Sequence, residues 1–320
     1  MKKSKATIIG PAIVDIMAGP IGENIFRIGS MPMNAINMTY GGNGYNESYV
    51  LNRFGVNVGL FTKLGDDETG NRILEKLNSL GINTDHVMLE ENLSTSINVV
   101  LFDEKGERRF LTNPQGSQRC MSEDDITSAI LDCGDIVCFS GMFISPLFDI
   151  QSMGRVFRKI KEKQDRILVV DMTKAKNGET IKDLKPLLSY IDYILPNEEE
   201  LRLLGGDDIA YGASEFLKDG VGCVVVKTGC RGCTVFTRQN SFNVEAFKTE
   251  KLVDTTGAGD SFAAGFIYGL MNNMSLLECA MFANAAASCC VECVGATEGI
   301  TSIEEPMRRY KMLCGSITED

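Results

Sequence analysis

The sequence contains a single histidine, His86, among its 320 residues. A Ser-His-Asp triad needs a histidine as its base, and many metal centres use several histidine ligands. His86 follows the turn-forming residues Asn83, Thr84 and Asp85, so we interpret it as a surface residue. The sequence therefore disfavours triad hydrolysis and histidine-rich metal sites.

Basic tracts and long apolar runs are also missing. The formal net charge is −11, which argues against nucleic acid or an anionic membrane surface as the main partner. No run of about 18 apolar residues exists, so we expect no membrane-spanning helix. Residues 1–5 lead directly into a short strand-like segment and lack the apolar core of a signal peptide. We therefore expect a cytoplasmic protein.

Two nucleotide-binding motifs are absent, because no P-loop occurs and no Gly-x-Gly-x-x-Gly follows a predicted strand. The 11 cysteines are odd in number and spread through apolar segments, which is typical of small buried residues in a reducing compartment. Cys230/Cys233 and Cys290/Cys293 form two Cys-x-x-Cys pairs. A zinc site shared between them is the alternative, which we disfavour because one pair lies in a helical pattern and the other flanks a glycine turn.

Strands alternate with helices from about residue 122 onward. This pattern predicts an α/β fold with a mostly parallel sheet covered by helices on both faces, in a single domain spanning residues 1–320. Earlier segments do not fit such a sheet. Ser94–Phe102 and Arg108–Thr112 alternate around the turn Asp103–Gly106, which predicts a hairpin. We expect residues 16–40 and 94–117 to form a small lid.

The most informative stretch is the glycine-rich turn Asp254–Asp260. We expect Lys251–Val253 to end a strand and a helix to begin near Gly257 or Ala258. The first N–H groups of that helix would form an anion site, and Asp260 beside them is placed to take a proton from an attacking hydroxyl. The alternative is a glycine turn in which Asp260 only complements the helix dipole.

Two further candidate sites follow predicted strands near the N-terminus. Asp15 comes soon after the strand Lys5–Gly10, where ligands of open α/β sheets bind, although a solvated loop residue fits equally well. In a second glycine-rich loop, the amides of Asn43 and Asn46 suit a polyhydroxylated ligand, because each offers a donor and an acceptor. The alternative is that one of them caps the next helix.

Two polar segments follow strands in the second half of the chain. Asn197 and Glu200 would share one face of a helix's first turn, where oxygen ligands suit Mg²⁺, although an N-cap with an acidic first turn is the commoner meaning. The loop with Thr228, Gly229 and Gly232 suits a phosphate or nucleotide edge, and alone is a weak signal.

These motifs are more specific in combination. Gly41-Gly42 with Asn46, Asn197-x-x-Glu200, the Thr228–Gly232 loop and Asp254–Asp260 occur in an order that resembles the ribokinase-like (PfkB-type) carbohydrate kinases over residues 5–305. The resemblance implies a three-layer α/β/α domain with a small β lid. It also implies transfer of the γ-phosphate of ATP to a sugar hydroxyl, with Mg²⁺ bound.

The resemblance also implies roles for individual residues. Asp260 matches the catalytic base, and Asn197 and Glu200 match the motif that organises Mg²⁺ largely through water. Asp254 and Thr256, with Gly295–Thr297, resemble the loops that hold a monovalent cation such as K⁺. The remaining matches are Gly257, Ala258 and Gly259 for an anion hole; Thr228, Gly229 and Gly232 for the nucleotide loop; Asn284 beside adenine; and Asp15, Gly42 and Asn46, joined by Asn43, for the sugar.

The sequence motifs do not determine which molecule accepts the phosphate. Ribokinases often carry Lys where Asn43 stands, which disfavours ribose. Met31, Met33 and Met38 near the lid would suit an apolar pocket for a base, so a nucleoside kinase is the alternative, with simple lid packing as the other meaning of these methionines. A non-catalytic sugar or nucleotide sensor is a third hypothesis, disfavoured by the intact Asp260. A homodimer formed through the lid is a further hypothesis.

Overall fold

The computed structural model describes residues 5–33, 35–104, 108–127, 130–205 and 208–317. Its strands fall into two sheets, one of nine strands and one of four. The strands are β1 Ala6–Ile9, β2 Ile13–Gly19, β3 Ala35–Gly41, β4 Val58–Gly65, β5 Val87–Glu90, β6 Ile97–Phe102, β7 Arg108–Thr112, β8 Ile136–Met142, β9 Ile167–Met172, β10 Tyr193–Leu195, β11 Cys223–Lys227, β12 Cys233–Phe236 and β13 Ser241–Val244.

The helices have the local signals that the sequence predicts. In one of them, Asp149 caps the N-terminus by accepting from the Ser152 N–H at 2.7 Å, and Met153, Phe157 and Ile160 pack beneath it. No helix in the described ranges is long and apolar enough to cross a membrane. The helices are α1 Asn43–Arg53, α2 Glu68–Leu80, α3 Glu123–Thr127, α4 Ile150–Ile160, α5 Ile181–Leu188, α6 Glu198–Gly205, α7 Ile209–Lys218, α8 Ala258–Met271, α9 Leu276–Cys290 and α10 Glu304–Ile317.

The large sheet has the strand order β13-β12-β11-β10-β9-β8-β1-β4-β5. Strands β11 to β5 in that order pair in parallel, and only the pairs β11–β12 and β12–β13 at the other end of the sheet are antiparallel. The mostly parallel sheet is therefore confirmed. Its strand ends set the position of the candidate site, because the carboxyl ends of parallel strands meet at one edge.

Helices cover both faces of this sheet. Successive side chains of a strand point to opposite faces, so Ile8 packs into one hydrophobic cluster with α1, α8 and α9, whereas Ile9 packs into the other with α4 and α5. Val224 and Val225 divide between the two clusters in the same way. The predicted three-layer α/β/α architecture is confirmed.

The small sheet has the order β3-β2-β6-β7. β2 pairs antiparallel with β3 and parallel with β6, and β6 and β7 form the predicted hairpin. Lys105 and Gly106 of its turn lie outside the described residues. The sequence missed β2 as a lid strand: it starts at Ile13, before the predicted lid boundary, because only Gly10–Ala12 separate it from β1.

One predicted strand is wrong. Lys251–Val253 is not a strand: the Val253 and Asp254 N–H groups both point to the single carbonyl of Val291 after α9, and among the described residues no neighbouring strand completes a ladder. Leu252 is mostly exposed, which a strand of the buried sheet would not allow. The turn before α8 is therefore held by the end of another helix.

Candidate active site

Asp260 lies in the first turn of α8 and is 8% exposed. Its two carboxylate oxygens accept from Asn43 Nδ2 at 2.8 Å and Asn46 Nδ2 at 2.6 Å. Burial raises the pKa of Asp260, and this outweighs the opposing effects of the two amides and of Lys227. Neither asparagine caps α1, whose N-cap is Gly42. Their amides instead hold the carboxylate in one orientation.

The glycine turn before Asp260 presents an open backbone. Gly257 has φ +75°, and a Cβ there would overlap the Ala296 carbonyl, so the position requires glycine. Ala258 N–H donates to Thr255 O at 3.2 Å, but in the described part of the chain Gly257 and Gly259 N–H have no acceptor. A Cβ on Gly259 would meet only the Lys227 ammonium, at 3.5 Å. The turn therefore offers free donors beside a cation, which favours an anion.

Lys227 and Asp171 are site residues that the sequence analysis missed. Each lies at the carboxyl end of its strand, and Lys227 Nζ is 2.6 Å from Asp171 Oδ1. Burial raises the pKa of Asp171 to about 7 against the charge of Lys227. Burial disfavours the charged form of Lys227 and so acts to lower its pKa. The negative charges of Asp171 and Glu200 outweigh this effect, and the pKa of Lys227 is raised. The rule that singled out Asp15, a charged residue where a strand ends, would have found both.

Glu47 is the third carboxylate beside Asp260. One oxygen each from Glu47, Asp171 and Asp260 lies within 4.8 Å of the others, and Glu47 is 0% exposed. Burial, followed by the charges of Asp171 and Asp260, raises the pKa of Glu47 well above its usual value despite a bond from Ser140 Oγ at 2.5 Å. The surroundings of Glu47 therefore favour its protonated form.

The raised pKa of Glu47 predicts how Glu47→Gln changes stability. A carboxyl whose pKa is raised on folding binds its proton more tightly in the folded state, so its contribution to stability falls as pH rises from about 4.5. The glutamine amide of the variant cannot ionise, and its carbonyl can still accept from Ser140. We expect the variant to gain stability relative to the parent as pH increases from about 5 to about 9, in urea titrations at each pH.

Glu162→Gln is the matched control, because Glu162 is exposed on the surface after α4. Its stability difference from the parent should stay within about 0.5 kcal/mol at every pH. A Glu47→Gln difference that stays equally flat would show that folding does not raise the pKa of Glu47.

Asn197 and Glu200 form a reciprocal cap at the start of α6. Asn197 N–H donates to Glu200 Oε2 and Glu200 N–H donates to Asn197 Oδ1, both at 2.8 Å. The capping interpretation of these residues is therefore correct. Both also face the cleft beside Asp260, a cavity of about 260 Å³ whose wall includes Asn43, Asp171, Lys227 and Gly259.

The Thr228–Gly232 loop follows β11 and borders the same cleft at Gly229. Gly232 has φ +93°, and a Cβ there would overlap the Val244 carbonyl, so its backbone approaches β13 closely. Asn284, buried in α9, donates to the carbonyls of Val244 and Glu245 at 3.1 and 3.0 Å. Both residues thus hold the β12–β13 hairpin in place.

One face of the small sheet carries polar side chains, and Asp15 among them lies near enough to Asp260 to feel its charge. Asp15 lies in β2 rather than in a loop, and it accepts from Asn98 Nδ2 of β6 at 3.0 Å. Burial raises the pKa of Asp15, with Asp260 adding to this and Asn98 and Arg108 opposing it. Met38 pairs with Ile16, the residue after Asp15 in β2. Because successive side chains of a strand alternate between faces, Met38 lies on the face opposite Asp15.

Asp254 joins the small sheet to the glycine turn. Its carboxylate accepts from the N–H groups of Thr256 and Gly295, each at 2.8 Å, and pairs with the Arg108 guanidinium of β7 at 2.6 Å. Arg108 also donates to the Thr256 hydroxyl. The thiol of Cys290 donates towards the Thr256 and Ala296 carbonyls, so this cysteine supports the turn.

Comparison of the sequence and fold with known proteins identifies the family of this chain. Residues 5–303 match the model of the pfkB family of carbohydrate kinases. The chain belongs to that family. An uncharacterised sugar kinase of Archaeoglobus fulgidus is 30% identical over 255 residues, which cover 78% of this chain and 97% of the relative.

Solved structures share the fold of this pfkB-family kinase. The ribokinase of Arabidopsis thaliana, complexed with ribose and ATP, is 24% identical, with a TM-score of 0.79 over 96% of this chain and 99% of its own. A nucleoside kinase of Burkholderia thailandensis, complexed with inosine, is 16% identical, with a TM-score of 0.79 over 97% and 99%. The ribokinase-like fold and the assignment as a phosphotransferase are confirmed.

Proposed function

We propose that this kinase transfers the γ-phosphate of ATP to a hydroxyl of a sugar, with Asp260 as the base. The carrying observation is that Asp260, oriented by two amides, lies in one cleft with free backbone N–H groups and a buried lysine. Phosphoryl transfer depends mainly on alignment and on neutralising the charge of the phosphate. This cleft supplies residues suited to both.

Each group in the cleft has a proposed role. An Asp260 oxygen receives the proton of the acceptor hydroxyl, and the raised pKa makes this carboxylate a better base. The N–H groups of Gly257 and Gly259 donate to the transferred group, together with the Lys227 ammonium. Ala258 N–H joins them only by leaving Thr255 O. These donors form the proposed anion hole.

Mg²⁺ and ATP fit the opposite wall of the cleft. The reciprocal cap uses one oxygen of Glu200, so its second oxygen is free to hold a water of Mg²⁺. Bound Mg²⁺ neutralises phosphate charge. We propose that Asn197 assists Glu200, and that Thr228, Gly229 and Gly232 hold the nucleotide with Asn284 beside the adenine.

The polar face of the small sheet favours a sugar acceptor. Asp15 and Asn98 offer a carboxylate and an amide, and we propose that Gly42, Asn43 and Asn46 complete the acceptor site. The Archaeoglobus relative is named a sugar kinase. A nucleoside is the second candidate, because Phe110 of β7 lies on the same face, is 56% exposed and could stack a base.

The test measures ADP released from Mg-ATP with separate panels of sugars, sugar acids and nucleosides. We expect one sugar class to raise ADP release well above the ATP-only rate, and EDTA to abolish it. If nucleosides alone do so, the second candidate replaces the first. If no compound does so although Mg-ATP binds by calorimetry, the sensor hypothesis replaces the kinase assignment for this chain.

Two finer hypotheses accompany the proposal. A monovalent cation such as K⁺ would bind beside Asp254 and Thr256, and repeating the assay in potassium and in tetramethylammonium chloride tests this. A homodimer through the small sheet is supported by exposed apolar side chains on its outer face. These are Ile36, Met38 and Leu111.

A further inference from the structure

A second cavity, of about 310 Å³, lies outside the cleft at the base of the small sheet. Its apolar wall includes Phe143, Phe148 and Met153. Arg119 and Lys176 line it as well and supply two positive charges. A mixed wall of this kind suits a ligand with an apolar body and an anionic end.

Neither cation has a directly paired counter-ion among the residues that the structure describes. In the described ranges neither the Arg119 nor the Lys176 side chain forms an ion pair or hydrogen bond. Partial desolvation of the Lys176 ammonium lowers its pKa, and the charge of Arg119 lowers it further. The two like charges repel each other, and an anion in direct contact with both would relieve that repulsion.

The acidic residues of the cavity are already engaged. Asp149 accepts from the Ser152 N–H at 2.7 Å, where it caps α4. Glu179 accepts from the N–H and the side-chain amide of Asn177, both at 2.9 Å. Hydrogen bonds lower the pKa of Asp149, and at Glu179 burial opposes its hydrogen bonds but they still lower its pKa, so both carboxyls stay ionised while turned to their own loops. They bind backbone and amide donors rather than the two cations.

Arg119 belongs to the segment that carries the chain out of the small sheet. Ser117, two residues earlier, accepts at its hydroxyl from Ser96 N–H at 3.1 Å, and its N–H donates to Ser94 O at 3.0 Å. Ser94 and Ser96 directly precede β6. An anion held by Arg119 and Lys176 would therefore tie the base of the small sheet to the loop after β9.

The loop after β8 connects the cavity to a residue that lines the cleft. Ser145 after β8 lines the cavity, and its hydroxyl is 3.0 Å from Arg119 O. Three residues earlier, Met142 O accepts from the hydroxyl of Thr173, which lines the cleft, at 2.5 Å. The loop between them contains Phe143 at φ +76°, a conformation that non-glycine residues rarely adopt. The loop after β8 thus links the two sites by hydrogen bonds at both of its ends.

We propose that this cavity is a second binding site, which takes the phosphate of a small phosphorylated metabolite. Arginine and lysine together match a phosphate dianion, and the apolar wall receives its organic part. Bound ligand stabilises one position of the small sheet and changes the KM of the acceptor. The binding is independent of the proposed function, whereas the KM effect rests on it.

Calorimetry tests the binding at constant ionic strength, with a non-hydrolysable ATP analogue and Mg²⁺ present to fill the cleft. The probes are ribose 5-phosphate, glycerol 3-phosphate, inorganic phosphate and free ribose. We expect the esters to bind, and the double variant Arg119→Gln/Lys176→Gln to bind them at least about 10-fold more weakly. Lys182→Gln, which alters an exposed lysine on α5, should bind as the parent does.

The outcomes separate the parts of the proposal. Unchanged affinity in the double variant, or no binding of either ester to the parent, overturns the site. Inorganic phosphate binding as tightly as the esters overturns the role of the apolar wall. A folded double variant, shown by an unchanged thermal midpoint, excludes loss through misfolding. If esters bind as expected but no acceptor is phosphorylated, the proposed function fails and the site stands.

Discussion

Asp260→Asn should lower kcat by at least about 10²-fold while leaving the KM values for ATP and acceptor nearly unchanged. The variant removes the proton acceptor but keeps the size and planarity of the side chain. It should fold, because Asn46 Oδ1 is buried with no hydrogen-bond partner among the described residues and could accept from the new amide. The measurement is steady-state kinetics with the best acceptor from the substrate panel.

The pH profile adds a second readout. Because burial raises the pKa of Asp260, kcat of the parent should fall as pH drops through a value above the 3.8 of a free aspartate. The residual activity of Asp260→Asn should lack this acid limb. Asp165→Asn, an exposed residue before β9, is the control and should keep the parent profile. Near-normal turnover in Asp260→Asn would remove the base role and leave only an orienting one.

The sequence predicts the part of the site that local signals encode. Asp260, Gly257 and Gly259 were found because a glycine turn opening a helix is contained in seven consecutive residues. The alternation of strands and helices also predicted the layers of the fold. Such features depend on neighbours along the chain, which a single sequence shows directly.

The rest depends on neighbours in space. A glutamate in an amphipathic helix is normally exposed, and only the packing of α1 against β8 and α8 buries Glu47 beside Asp260. For the same reason, the sequence does not predict the hydrogen bonds from the Asn43 and Asn46 side chains to Asp260, because each joins residues more than 200 positions apart. Sequence spacing carries no signal for such pairs without a topology.

Lys227→Met should produce the largest loss of stability in the site. The substitution leaves the Asp171 carboxylate, which is 1% exposed, without its counter-ion. Removing one partner of a buried ion pair typically costs about 3–5 kcal/mol. The variant also removes the cation beside Gly259, so kcat should fall as well. Urea unfolding and steady-state kinetics measure the two effects separately.

The pH dependence of stability in Lys227→Met tests whether the unpaired Asp171 causes the loss of stability. In the parent, burial already raises the pKa of Asp171 to about 7, and loss of Lys227 raises it further. Because the folded variant then binds a proton that the unfolded chain releases near pH 3.8, its stability should decline from about pH 4 to beyond about pH 7. Lys218→Met, an exposed lysine of α7, should change stability by less than about 0.5 kcal/mol at any pH.

The double variant Asp171→Asn/Lys227→Met separates stability from chemistry. With no buried carboxylate left to ionise at position 171, most of the lost stability should return and the decline with pH should flatten. The loss in kcat should remain, because the cation beside the glycine turn is still missing. If kcat recovers together with stability, Lys227 serves only to hold Asp171 in the fold, and charge neutralisation in the cleft rests on the backbone donors and Mg²⁺.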